Sequence, residues 1–442
     1  MSIELSKDSF NQAGKSSQPR LCVSKLRQNI GQELHNRPSA KIAISTSISH
    51  LALRVSQLER HQEFVKLCAL CNRYNVIPPA HDACCYYQHF KGFDIRWERH
   101  LEFSSYTFIR AGVSPGLFDG YAIECVPQQW FDELVGELVS AVNVVICDSA
   151  LSEQQHKKTF EGSQVLGSHV AKGRASVFTS FRLHSDGFGR LYIQSHALNE
   201  YQAGRLIQRL LEIETYQMMA LLSLPIARGL APKVADMEQR LVSINQKMAQ
   251  VCHHDDGQML ESLSSLASQT EQLIADISYR FSATNAYYEL VCTRLEQLKE
   301  EDICGVEGIG EFVTRRLSPG IRTCQALTHR LNDLTCRIER ASALLRTRVD
   351  LSIEQQNQKL LQAINHGGAV QLRLQQMVEG VSIVAIVYYS MGLLDYLLDA
   401  LNSAGWPTNK TIVKGAAVPV FLLFTWLIMR FVVKVIKKQP VA

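Results

Sequence analysis

The sequence predicts an α+β N-terminal cytosolic domain, then long antiparallel or coiled-coil helices, then a C-terminal two-helix transmembrane hairpin. Three observations predict this order. Strand-like and helix-like stretches interleave irregularly before residue 230, and helix formers dominate from about 232 to 376. Two charge-free runs of fifteen residues, 380–394 and 415–429, lie close to the C-terminal end.

Bulk composition narrows the class. The 442 residues are 46% apolar and 20% charged, with Lys+Arg 46 against Asp+Glu 42. That length allows about two to four domains of roughly 100–200 residues, and the apolar share excludes wholesale disorder. Twelve prolines and 25 glycines without a low-complexity run exclude fibrous and mucin-like chains. A net charge of +4 is too small for nucleic-acid binding by bulk charge, so no nucleic-acid partner is expected. Twelve irregularly spaced cysteines are too sparse for a disulfide framework. Cys147, inside the apolar run 142–147, reads as a buried small hydrophobe in a reducing compartment. No apolar run occurs in the first 40 residues, so no secretory signal is expected and the bulk of the chain is placed in the cytosol.

Residues 1–40 are polar with little periodicity and are expected to be a mobile segment. The α+β domain is assigned to 41–230. Strands are expected at 48–55, 102–110 and 142–147, with an amphipathic helix at 57–74 and another helix at 128–139. Strands at 174–182 and 191–194 flank Ser185-Asp186-Gly187, a hairpin turn. A long helix at 199–224 is stopped by Pro225.

Residues 231–376 read as a helical stalk. Leu241, Ile244, Met248 and Val251 fall at 3-4-3 spacing. Leu327, Leu331, Leu334, Ile338, Ala341 and Leu345 hold a 4-3-4-3-4 pattern, the seam of a heptad repeat. Gly305, Gly308, Gly310 and Ser318-Pro319-Gly320 are breakers. They predict arms at 231–302 and 320–376, a short helix at 309–317, and a turn near 303–320. Gly367-Gly368 marks a place for a kink. A seam this long needs a partner, either the first arm or another copy, and a homo-oligomer is expected.

Residues 377–437 are assigned to the membrane hairpin, with spans at about 378–400 and 414–434 and a basic tail at 438–442. With flanking apolar positions each span reaches the ~20 residues that cross a ~30 Å hydrocarbon core. Arg430 sits where its stem can snorkel, and Trp406 is placed for an interfacial belt. Arg346, Arg348 and Arg373 precede the first span, and Arg430, Lys434, Lys437 and Lys438 follow the second. The loop between them offers only Lys410 and Lys414. That bias puts both termini in the cytoplasm and the loop outside, with the lipid bilayer as partner.

Three clusters could carry chemistry. Cys68-x-x-Cys71, His81, Cys84-Cys85 and His89 are metal-ligand types. However, Cys68 and Cys71 share the core face of a helix and Cys84-Cys85 on a strand would point oppositely, so core packing is favoured and no metal or cofactor is assigned. On a strand, Arg96, Glu98, His100 and Glu102 share one face. They could support acid–base work or grip an anion, or simply form an ionic ladder on an exposed face. The Gly-rich stretch 305–312 with Arg315-Arg316 resembles a helix-hairpin-helix turn. One copy with Glu307 and Glu311 beside it reads as a plain inter-helix turn. No Walker A, G-x-G-x-x-G or H-E-x-x-H motif occurs, and no catalytic residue is assigned.

The carrying stretches of a family resemblance are Glu33-Leu34-His35-Asn36-Arg37-Pro38, Trp97-Glu98-Arg99-His100 with Glu102-Phe103 and Tyr106-Thr107-Phe108, and Leu211-Glu212-Ile213-Glu214-Thr215-Tyr216. Leu345-Arg346-Thr347-Arg348-Val349, Gln371-Leu372-Arg373-Leu374-Gln375, Val378-Glu379-Gly380 and Tyr388-Tyr389 complete them. Through these the chain resembles a bacterial family of uncharacterised membrane-anchored proteins, defined by a domain of unknown function over nearly the whole chain. The resemblance implies anchoring in the bacterial inner membrane and supplies no activity. The layout is also similar to CorA-type magnesium channels, but Tyr389-Ser390-Met391-Gly392-Leu393 stands where their Gly-Met-Asn signature would be.

Two functions follow as expectations. The first is a non-enzymatic, self-associating membrane protein whose cytosolic domain acts as scaffold or sensor. The second is an oligomeric cation channel with Asp395, Asp399 or Asn402 at its mouth, since acidic rings concentrate cations.

Overall fold

The computed structural model of the chain describes residues 40–81, 83–250, 256–404 and 409–436. Nearly all of the N-terminal segment, with Val251, Trp406, Lys437, Lys438 and the basic tail, lies outside the described residues.

A nine-stranded sheet organises the first part. Chain order is β1 (Thr46–Arg54), α1 (Arg60–Arg73), β2 (Cys85–Phe90), β3 (Phe93–Arg99), β4 (Phe103–Ala111), α2 (Gln128–Asp132) and β5 (Glu137–Cys147). There follow α3 (Glu153–Thr159), β6 (Leu166–Val170), β7 (Ala175–Thr179), β8 (Gly189–Ser195), α4 (Glu200–Leu221) and α5 (Ser223–Ala249). Last come α6 (Asp256–Leu298), the two-residue β9 (Glu301–Asp302), α7 (Ile309–Ser403) and α8 (Lys410–Ile436). The strands lie in the order β2-β3-β4-β1-β5-β8-β7-β6-β9, and β5 pairs with β8 in parallel. An α+β sheet domain followed by a long helical region is the architecture that the residue patterns predict.

The two-residue period of the strands feeds apolar clusters on both faces of the sheet. Ile48, Ala52, Val142 and Val144 pack with Leu206, Ile207 and Leu210 of α4 on one face. Leu51, Leu53, Ile95, Trp97 and Phe108 pack with Leu67 and Leu70 of α1 on the other. Fully burying one such side chain contributes about 1.5–3 kcal/mol. Helix α4 starts at a reciprocal capping box between Asn199 and Gln202.

Several expected boundaries are corrected. The helix expected at 128–139 ends at Asp132, and β5 begins at Glu137. Gly136 turns the chain there at φ +109, and a Cβ on it would stand 2.8 Å from the Arg54 carbonyl oxygen. The strand carrying Arg96 ends at Arg99, because the His100 amide donates to the Phe103 carbonyl at 2.8 Å and closes a tight turn into β4. His100 and Glu102 therefore leave the alternation. Pro225 does not stop the helical path; it sits in the first turn of α5, where its missing N–H costs nothing. Ser318-Pro319-Gly320 does not break α7 either, and the separate short helix at 309–317 is its beginning. Ile309, Val313, Leu317 and Ile321 are buried at four-residue spacing, and that burial outweighs the proline. Gly367-Gly368 likewise lies within continuous helix. Strands β2, β6 and β9 were not legible in the sequence.

The 4-3 seam from Leu327 to Leu345 is buried throughout, and Arg330 forks onto Glu238 of α5 at 3.0 and 2.8 Å. Three described stretches, Glu200–Ala249, Ile309–Ser403 and Lys410–Phe431, are long and apolar enough to cross a membrane. In the first, α4 packs its apolar face into the sheet's core.

A second compact unit comprises the described parts of 245–263 and 340–442. Within it Arg348 lies 3.2 Å from the Asp256 carboxylate and donates to the Met248 carbonyl at 2.7 Å. From 353 to 378 every side chain of α7 is exposed, Leu360, Ile364 and Leu374 among them. Ion pairs Asp395–Lys414 and Asp399–Lys410 join α7 and α8 in antiparallel register.

Candidate functional site

Two periodicities meet over the sheet. Alternation places Arg96 and Glu98 of β3, Phe103, Ser105, Thr107 and Ile109 of β4, and His50 of β1 on one face. Register sets Arg96 opposite Thr107 and Thr107 opposite His50, so three polar side chains form one row across three strands. Helix α4 covers that row with Ile207, Gln208, Leu211, Glu212 and Thr215, spaced three and four apart. Between them lies a cavity of about 290 Å³, edged by Ala40, Ile42 and by Arg294 of α6. Gly204 makes the cover possible. A Cβ there would fall 1.8 Å from the Ala40 carbonyl oxygen, and the Ile42 amide donates to Glu200 of α4 at 3.2 Å.

An ionic relay runs along the wall. Arg96 Nη2 donates to Glu98 Oε1 at 2.9 Å and Nη1 reaches Gln208 Oε1 at 3.5 Å. Gln208 Nε2 donates to Glu212 Oε1 at 2.9 Å, and Glu212 pairs with Arg294. The formal charges of these two arginines and two carboxylates cancel. His50 lies behind the relay, with Nδ1 2.8 Å from Thr107 Oγ1 and Nε2 3.2 Å from Thr215 Oγ1. Burial lowers its pKa to about 3, with the charges of His100 and Arg96 adding, so the ring is neutral at neutral pH. His100 stacks on Phe103 with ring centroids 4.2 Å apart.

Arg96, Glu98 and His100 thus come together, lining a cavity rather than an exposed ladder. Glu102 does not join them; it pairs with Arg280 of α6 at 2.9 Å. Asp395 and Asp399 carry their lysine partners on α8, and Asn402 lies in the last turn of α7. Cys71 faces Tyr86 with Sγ 3.3 Å from its hydroxyl, while His81 packs edge-on against Phe64. Among the described residues no three His, Cys, Asp or Glu side chains converge on a metal-sized site. At the Gly-rich turn, the Gly310 amide donates to Glu300 Oε2 at 2.8 Å and the Ile309 amide to Ser168 Oγ at 3.0 Å. A carboxylate already occupies the helix N-terminus that a phosphate would need.

Sequence reasoning missed three buried groups. His50 was detectable only as a polar break in an apolar strand. Glu63, fully buried on α1, accepts hydrogen bonds from Trp97 Nε1, Tyr106 Oη and Ser104 Oγ at 3.0, 3.0 and 3.1 Å. Burial pushes Glu214 of α4 up to about 7, against a hydrogen bond from Gln217 at 2.8 Å.

A family model described as a protein of unknown function (DUF3422) matches residues 23–436. No curated protein and no solved structure matches the chain. Since the match takes in the sheet, the cavity and both terminal helices, the chain belongs to the DUF3422 family.

Proposed function

We propose that this chain is a membrane-anchored, non-enzymatic sensor or scaffold, its sheet domain reporting occupancy of the cavity under α4. One observation carries the anchor. The end of α7 and most of α8 present large apolar side chains outward, including Val381, Tyr388 and Tyr396 at 71%, 75% and 79% exposure. Such a contiguous apolar surface calls for lipid or a partner. The basic residues before and after the two stretches favour cytoplasmic ends in a bacterial inner membrane. The exposed Leu360, Ile364 and Leu374 support self-association through the stalk as a coiled coil. Conduction is the weaker reading, because Asp395 and Asp399 are each matched by a lysine, which removes the field that an acidic pore mouth needs.

Membrane sedimentation with alkaline carbonate extraction tests the anchor. The full chain is expected in the pellet until detergent is added. Recovery of the intact chain in the carbonate supernatant overturns the anchor, and cross-linking that yields monomers alone overturns self-association.

A further inference from the structure

The cavity's charge balance selects its ligand. Arg96 and Arg294 are matched by Glu98 and Glu212, and the Arg96 and Glu98 side chains are only 8% and 14% exposed. A ligand with net charge would leave an uncompensated charge at that depth, which is costly. A ligand carrying both signs, or none, would not.

A hydrogen-bond inventory separates those two. The neutral His50 ring holds one N–H and one bare nitrogen between two threonine hydroxyls. One hydroxyl donates to the bare nitrogen. The other accepts the ring N–H and keeps its own proton for a further acceptor. The hydroxyl of Ser105, a residue 4% exposed on the cavity wall, has no hydrogen-bond partner among the described residues. The ring tautomer sets which of Thr107 on β4 and Thr215 on α4 keeps that proton; with the Ser105 hydroxyl and the Arg96 guanidinium, this donor suits a carboxylate. Glu212 offers its carboxylate from the α4 side, where it suits an ammonium. Ile42, Phe103 and Leu211 leave an apolar wall beside both.

The geometry points to a small zwitterion with an apolar body as the ligand, the chemistry of a free apolar α-amino acid. Its carboxylate lies against Arg96 and Ser105, its ammonium against Glu98 and Glu212, and its hydrocarbon against Phe103 and Leu211. This deepens the sensor reading and rests on it for the cavity being the sensing site.

Calorimetry on the full chain in detergent tests it with three probes: L-leucine, 4-methylpentanoate, which lacks the ammonium, and 3-methylbutylamine, which lacks the carboxylate. Leucine is expected to bind, and each deletion to weaken binding by about tenfold or more, as loss of a charge-assisted hydrogen bond does. Ser105→Ala, a change small enough to leave the fold intact, is expected to weaken leucine and leave the amine unaffected. Equal binding of either truncated probe overturns the zwitterion while keeping the cavity as a binding site. Binding of none of the three overturns the ligand class, and carbonate extraction still decides the anchor separately.

Discussion

His50 on β1 and Thr107 on β4 are cross-strand partners whose side chains meet at 2.8 Å, Nδ1 to Oγ1, beneath α4. Protonating the ring there would bury a charge beside Arg96, which is why its pKa falls to about 3.

The unfolded chain takes up this proton near pH 6.5 and the folded chain only near pH 3, so stability from this group is full above 6.5 and is lost as pH falls toward 3. At about 1.4 kcal/mol per pH unit the loss totals on the order of 4–5 kcal/mol. Urea midpoints of the sheet domain, followed by tryptophan fluorescence at pH 7 and pH 4, should show a smaller drop in His50→Gln than in the native chain. Equal drops would remove His50 as the cause.

Glu214 acts in the opposite direction. Its carboxyl titrates near 7 when folded and near 4.5 when unfolded, so its contribution is full below 4.5 and is lost as pH rises through 7. Glu214→Gln should raise stability at pH 8 by roughly 3 kcal/mol and change little at pH 4. Thermal melts at the two pH values distinguish this from a uniform effect of the substitution.

Glu63 is the single acceptor shared by Trp97, Ser104 and Tyr106. Glu63→Leu strands three buried donors and should cost about 3–5 kcal/mol. A denaturant midpoint within about 1 kcal/mol of native would mean that the donors find other partners.

Gly204→Ala sets a methyl group against the Ala40 carbonyl and should lift the segment at 40–44 from α4. Hydrogen exchange at the Ile42 amide reads this directly. Protection there should fall while that of β1 and β5 persists, and unchanged Ile42 protection would count against the close approach.

Local pattern was enough for much of the architecture. The heptad leucines from Leu327 onward are buried as their spacing requires, and the strands around Ile48 and Val142 occur where alternation and apolar runs put them. The errors fall where tertiary burial opposed a local signal. Pro319 lies inside continuous helix because Leu317 and Ile321 are buried on either side of it, and the 128–139 stretch yields a strand because β1 supplies a pairing edge.

Residue order alone established the sheet-then-helix plan, the two apolar terminal helices and the charged set Arg96, Glu98 and His100, since period and hydropathy are properties of neighbours along a chain. The cavity is a different kind of fact. Thr107 lies 57 residues from His50 and Thr215 lies 165 from it, and their meeting depends on strand register and on where Gly204 lets α4 settle. No local rule encodes those contacts; they follow from which apolar faces bury each other, and that is settled only when the whole sheet and its covering helix are assembled.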